Sequence, residues 1–215
     1  MDVKSPEFLC IGAQKAGTTW LYSQLEGHRD IWVPPIKELH FFDYWFLPDT
    51  KQWVSGHIKN WIQRALRNHI SETRQIDLKY VHYLAGLAND NVLSEEWYQR
   101  VFSWHDASDK VAGDITPAYS ALPEAGVRYA REFLGPVRII YLIRNPVSRA
   151  LSQAKMMMER HKMDANSHHD WMRVLRHPNL RNRGEYDRAI PLWRKFFGDE
   201  KILFIPYGQI SEEPS

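Results

Sequence analysis

Phe8-Leu9-Cys10-Ile11-Gly12-Ala13-Gln14-Lys15-Ala16-Gly17-Thr18-Thr19-Trp20-Leu21 reads as a buried strand, a loop bounded by glycines and the first turn of a helix. Such a junction turns several backbone N–H groups and the positive end of a helix toward one point, which suits a phosphate. Gly12 and Gly17 have the spacing of the ATP- and GTP-binding loop G-x-x-x-x-G-K-[ST], but Thr18 stands where that loop carries its lysine. The only lysine of the stretch, Lys15, lies inside the loop. The sequence describes a phosphate grip that is not built for a triphosphate with magnesium in the usual way.

The same strand-to-helix logic recurs downstream. Residues 137–143 form a β-branched run that predicts a central strand. Arg144-Asn145-Pro146 breaks it, and Val147, Ala150, Leu151 and Ala154 then mark a helix. Ligands of open α/β sheets bind beyond the carboxyl ends of the strands. Arg144 at that strand end, with Ser152 two turns into the helix, is a candidate clamp for a second phosphate group. Further elements are predicted as strands over 7–11 and 201–206 and helices over 17–26, 53–70, 123–135 and 186–197, with another starting at the Ser94 cap. Pro191 is expected to kink or restart the last of these helices. Residues 28–49 read as irregular and aromatic-rich, and 161–178 as a mobile, His-rich loop with one short helix at most. Strands alternating with helices predict an α/β, P-loop-type three-layer fold with a mainly parallel central sheet.

Composition narrows the function. With 44% hydrophobic and 25% charged residues in 215, the chain fits one soluble globular domain. A net charge of +2 gives no general field for nucleic acid, so any anion site must be local. Cys10 is the only cysteine, which excludes an internal disulfide. It lies in an apolar run and reads as a small core residue. The first residues carry no secretory signal, and no apolar run reaches membrane-spanning length. A cytoplasmic location is the expectation. The adjacent His168-His169 pair lacks the cysteine or carboxylate partners of a metal site, and no metal site is expected.

Beyond these residue-level readings, the chain resembles the sulfotransferases that use 3′-phosphoadenosine-5′-phosphosulfate (PAPS). It is most similar to the branch containing heparan sulfate N- and O-sulfotransferases and their bacterial relatives. Four stretches carry the resemblance: residues 12–19 (Gly12 to Thr19), 37–43 (Lys37-Glu-Leu-His-Phe-Phe-Asp43), 113–119 (Gly113-Asp-Ile-Thr-Pro-Ala-Tyr119) and 142–152 (Leu142 to Ser152). Arg183-Gly184-Glu185-Tyr186 with Trp193 is a weaker fifth match.

The resemblance implies a 5′-phosphosulfate loop using Lys15, Ala16, Gly17, Thr18, Thr19 and Trp20, and a 3′-phosphate site using Arg144 and Ser152, with Tyr186 beside the nucleotide. It implies transfer of the sulfuryl group to a hydroxyl, less readily an amine, of a carbohydrate or small metabolite, leaving 3′-phosphoadenosine 5′-phosphate (PAP). The transfer is in-line and requires no metal. Lys15 would stabilise charge growing on the departing phosphate. The acceptor proton needs a base; Glu38 takes that role by resemblance, and His40 is the rival. Asp114 and Thr116 are expected to touch the acceptor or to orient Lys15 and Glu38. Tyr44, Trp45, Trp53 and Trp61 are candidates to stack on a sugar. Ile115 stands where the heparan sulfate enzymes often have a lysine, which, with the modest charge, argues against a highly anionic polysaccharide acceptor. One domain over 1–215 is expected, stopping short of the family's C-terminal nucleotide-covering segment. The alternatives are a non-catalytic nucleotide-binding protein and an atypical P-loop nucleotide kinase.

Overall fold

A computed structural model describes residues 5–212 apart from 90, 105, 106 and 108. β1 (Phe8–Gly12) is buried along its whole length, as a continuous apolar run requires of a central parallel strand. It lies between β3 (Val111–Ile115) and β4 (Arg138–Ile143); β2 (Ile31–Trp32) and β5 (Ile202–Pro206) form the edges, and every pairing is parallel. The strand order β2-β3-β1-β4-β5 sends the chain to one side after β1 and to the other after β4. The loops after these two strands therefore border a topological switch point, where α/β sheets open a crevice. The P-loop-type three-layer arrangement read from the sequence is present.

Eleven helices surround this sheet among the described residues: α1 (Thr18–Leu25), α2 (Phe41–Phe46), α3 (Val54–Glu72), α4 (Leu78–Asn89), α5 (Glu95–Val101), α6 (Glu124–Leu134), α7 (Pro146–Arg160), α8 (His168–Leu175), α9 (Pro178–Asn182), α10 (Tyr186–Phe197) and α11 (Tyr207–Glu212). The Ser94 cap forms, its hydroxyl accepting from Trp97 N–H at 3.1 Å. Asn145 caps α7 by accepting from the N–H groups of Val147 and Ser148, and Pro146 fills a first-turn position where no N–H is needed.

Two expectations are corrected. The segment 28–49 contains β2 and α2. The short helix expected within 161–178 is α8, and α9 begins at the end of that segment. Ser167 and His177 cap those two helices, and Val174 and Leu180 pack with Ala154 and Met158 of α7 in a second small core. That packing is long-range and leaves little trace in a polar local sequence. Pro191 sits inside one continuous α10. Ala189, Trp193 and Phe197 recur every fourth residue and are all buried, and this stripe outweighs the one hydrogen bond that proline removes.

Phe8 lies opposite Gly113 in the β1–β3 register, and a Cβ at Gly113 would come within 1.9 Å of the Phe8 ring. Gly113→Ala is expected to destabilise the fold by about 1–3 kcal/mol through overpacking. Urea unfolding measures this, and the double variant with Phe8→Leu should recover part of the loss.

Candidate active site

The loop after β1 is held from both ends. Ala13 N–H donates to the Leu142 carbonyl of β4 at 2.9 Å, and Ala16 N–H returns to the Ala13 carbonyl at 3.0 Å. Gly17 caps α1 with φ 96°, a left-handed backbone that glycine adopts at little cost. A Cβ there would also press on Ile210 of α11 at 3.3 Å. The first N–H groups of α1 have no partner inside the helix, so the loop end presents free donors. Two buried side-chain atoms beside them, Gln14 Oε1 and Trp20 Nε1, lack a protein partner. Unpaired buried polar atoms are costly and mark places where a ligand can complete the hydrogen bonding.

Arg144 leaves the end of β4 and donates to the Lys15 carbonyl at 2.7 Å, while its guanidinium stacks on the Tyr207 ring at 4.4 Å. The Tyr186 hydroxyl accepts from Arg144 N–H at 3.2 Å and donates to the Arg144 carbonyl at 3.0 Å. Lys15 (φ 68°) projects toward α7, its Nζ 3.9 Å from Met156 Sδ. Met156 and Ser152 are four residues apart and share a face of that helix. Lys15 thus lies against the Arg144 guanidinium through its carbonyl and against the α7 face that carries Ser152.

The second half of the site lies before α2. Glu38 (φ 62°) and His40 (φ 53°) are both left-handed without being glycine, a strain of about 1–3 kcal/mol each that packing must hold. The turn brings Glu38 Oε2 within 3.4 Å of His40 Nε2, an electrostatic contact longer than a good hydrogen bond. His40 Nδ1 meets Asp43 Oδ2 at 2.9 Å, and the Thr50 hydroxyl donates to the same oxygen at 3.1 Å. His57 Nε2 lies 2.9 Å from the Lys37 carbonyl and 3.0 Å from the Glu38 carbonyl. Both partners are acceptors, which assigns the proton to that nitrogen. Lys37 Nζ donates to Thr19 Oγ1 at 2.7 Å and lies 3.4 Å from Glu38 Oε1. Lys37 therefore ties the first turn of α1 to the Glu38 carboxylate.

These contacts set the charges. Burial works against the charged form of His40, but the Asp43 and Glu38 carboxylates outweigh it and raise the imidazole to about 9. Burial would raise the Glu38 carboxyl; the close His40 imidazolium, with Lys37 and His57, instead holds it at about 2. Burial and the His40 charge lower His57, consistent with a neutral ring. At neutral pH Glu38, His40 and Asp43 form a carboxylate–imidazolium–carboxylate group with one net negative charge.

The two halves meet where Lys37, in the segment before α2, bonds Thr19 in the first turn of α1. A family model described as "Sulfotransferase family" matches residues 6–215. The chain belongs to the sulfotransferase family. A sulfotransferase from Alicyclobacillus acidocaldarius shares its fold with a TM-score of 0.65 at 24% identity, covering 98% of this chain and 76% of that one. The sulfotransferase domain from the curacin biosynthetic pathway (TM-score 0.63, 16% identity) covers 98% of this chain and 70% of its own. The sulfotransferase domain of the Synechococcus PCC 7002 olefin synthase (TM-score 0.63, 18% identity) covers 100% and 71%. Among curated proteins none matches significantly.

Within this sulfotransferase, Asp114 is a buried residue whose reach toward Glu38 is indirect. It is fully buried, and its carboxylate accepts from the hydroxyls of Thr116 (2.6 Å), Tyr119 (2.8 Å) and Tyr98 (3.1 Å). Burial outweighs these donors and raises its carboxyl to about 6. Asp114 and Thr116 face one another, not the crevice. Their influence on Glu38 runs through Tyr119, whose hydroxyl accepts from Phe41 N–H at 3.2 Å and anchors the start of α2. Cys10 is a buried core thiol, pushed up to about 12 by burial. Arg183, the first residue of the weak fifth match, lies in electrostatic reach of both Glu38 and Asp43. Lys37, Asp43 and His57 are site-forming residues to which sequence reasoning gave no role. Asp43 and Lys37 close the quoted 37–43 stretch, and His57 falls on the buried side of a helix repeat, so a pattern of polar residues at apolar positions could have pointed to them.

Among the described residues no helix is long and apolar enough to cross a membrane.

Proposed function

We propose that this sulfotransferase moves the sulfuryl group of PAPS to a hydroxyl, less readily an amine, of a small or carbohydrate acceptor. The observation that carries it is the Thr19–Lys37–Glu38 link, which sets an ionised carboxylate beside a phosphate loop that has no Walker lysine. The free loop donors and the unpaired Trp20 Nε1–H fit a phosphate, and Arg144 with Ser152 fits a second phosphate. When bound, PAPS supplies a sulfuryl group on a phosphate leaving group. The backbone N–H groups of 16–19 and the hydroxyls of Thr18 and Thr19 hold the 5′-phosphate. Lys15 places a positive charge where the bridging oxygen gains negative charge as the S–O bond to phosphate breaks. Glu38 takes the acceptor's proton as the new O–S bond forms, which neutralises the net negative charge of the Glu38–His40–Asp43 group. His40, charged and flanked by carboxylates, is a positioning residue. Tyr186 acts through the backbone of Arg144.

Calorimetry tests the donor assignment. The chain should bind PAP without added metal, more tightly than ATP with magnesium. Arg144→Ala should weaken PAP about tenfold or more, since charge-assisted contacts are among the stronger ones, and adenosine 5′-phosphate less, through the lost bond to the Lys15 carbonyl alone. An equal loss for both nucleotides would overturn the 3′-phosphate role, and tighter ATP binding would favour a kinase.

A further inference from the structure

A cavity of about 630 Å³ lies between α1 and α3, within the range of roughly 300–1,000 Å³ typical of small-molecule sites. One end is formed by Thr19 and Lys37, the pair that joins the first turn of α1 to Glu38. From there the lining follows one face of α3. Trp61, Ala65, Asn68, His69 and Glu72 recur at spacings of three and four residues. At 1.5 Å per residue this face spans about 16 Å. Tyr22 and Ser23 of α1, with Glu26 just after its end, form the opposite wall, and Tyr80 of α4 contributes a further ring.

We propose that this cavity is the acceptor site and takes a neutral glycoside or short oligosaccharide, laid along α3 with its reacting hydroxyl at the Lys37 end, where Glu38 Oε1 lies 3.4 Å beyond Lys37 Nζ. The proposal rests on the sulfuryl-transfer reading above. Three features of the lining select this class. Trp61 offers a flat apolar face, fixed by Arg64 stacked at 5.0 Å and by His57 at 6.4 Å; such faces suit the C–H surface of a sugar ring. Ser23, Asn68 and Thr73 supply neutral hydrogen-bonding groups. The lining charges cancel, with Lys37 and Arg64 against Glu26 and Glu72. A polyanionic chain would meet two carboxylates with no excess of cations, a repulsive element that opposes it. A lipid tail would find aliphatic lining only at Ala65 and Pro35.

Saturation-transfer NMR on the full chain tests this with a mixture of maltotriose, cellotriose and N,N′-diacetylchitobiose. At least one sugar should be saturated. The effect should be lost in Trp61→Ala, kept in Trp61→Phe, and insensitive to Arg144→Ala. In transfer assays with the same sugars, Trp61→Ala should raise the acceptor KM about tenfold while leaving PAP affinity unchanged. No saturation by any sugar, saturation that survives Trp61→Ala, or transfer confined to a phenolic acceptor such as 1-naphthol would each overturn the proposal. Loss of PAP binding with sugar binding intact would overturn the donor assignment alone.

Discussion

Glu38→Gln is expected to lower sulfuryl transfer about 1,000-fold, the middle of the range for removing a general base, and to leave PAP affinity unchanged. The amide keeps the size of the side chain and its place between Lys37 and His40, and it cannot accept the acceptor's proton. Transfer of labelled sulfate at saturating donor, paired with PAP calorimetry, separates the two effects. Retained transfer would pass the base role to His40. The surrounding charges oppose that outcome: an imidazole between two carboxylates, raised to about 9, already carries its proton at neutral pH.

The same charges fix the pH dependence. His40 is raised from its ordinary 6.5, so its contribution to stability is complete below 6.5 and disappears as pH rises through about 9. Glu38 is lowered from its ordinary 4.5, so its contribution is complete above 4.5 and is lost as pH falls through about 2. The wild-type site should hold its geometry best between these limits. Its activity should fall above pH 9 as the imidazolium facing Glu38, Asp43, His57 and Asp114 is lost. Asp43→Asn should move that alkaline limb to lower pH. A limb that stays in place would show that Asp43 does not hold the charge on His40.

The parts of this site that the sequence revealed are those encoded over a few residues. Gly12 and Gly17 bound the loop, Thr18 excludes the Walker pattern, and Arg144 follows a β-branched run that could only be a strand. Each depends on neighbours in the chain. The Glu38–His40–Asp43 group depends on two left-handed residues where no glycine announces them, so the sequence left Glu38 and His40 as rivals when their side chains in fact meet. His57 arrives from α3, and its role exists only because its ring reaches two carbonyls 19 and 20 residues away. For Asp114 the sequence left contact with the acceptor and orientation of Glu38 as alternatives; burial favours the second, because a fully buried carboxylate takes the nearest donors, here three hydroxyls from α5, Thr116 and Tyr119. Pro191 misled for a related reason: the packing that overrides its local preference comes through Ala189, Trp193 and Phe197, buried in the core far along the chain from their partners.

Lys15→Ala should reduce kcat by about 100- to 1,000-fold, the range for removing one preorganised stabiliser of developing charge. Folding should be unaffected, because the loop is fixed through backbone atoms that alanine retains. Arg144 donates to the Lys15 carbonyl, and Ala16 N–H to Ala13, whichever side chain stands at 15. Alanine at φ 68° bears much the same backbone strain as lysine. Among the described residues Lys15 Nζ has no ion-pair partner and only a long contact with Met156 Sδ, so its removal strands no buried charge. The split between kinetic constants identifies the role. A fall in kcat with little change in the KM for PAPS means that the ammonium acts on charge present only in the transition state. A raised KM with kcat intact would make Lys15 a ground-state phosphate ligand, and the burden of stabilising the leaving group would shift to the helix N-terminus and the hydroxyls of Thr18 and Thr19.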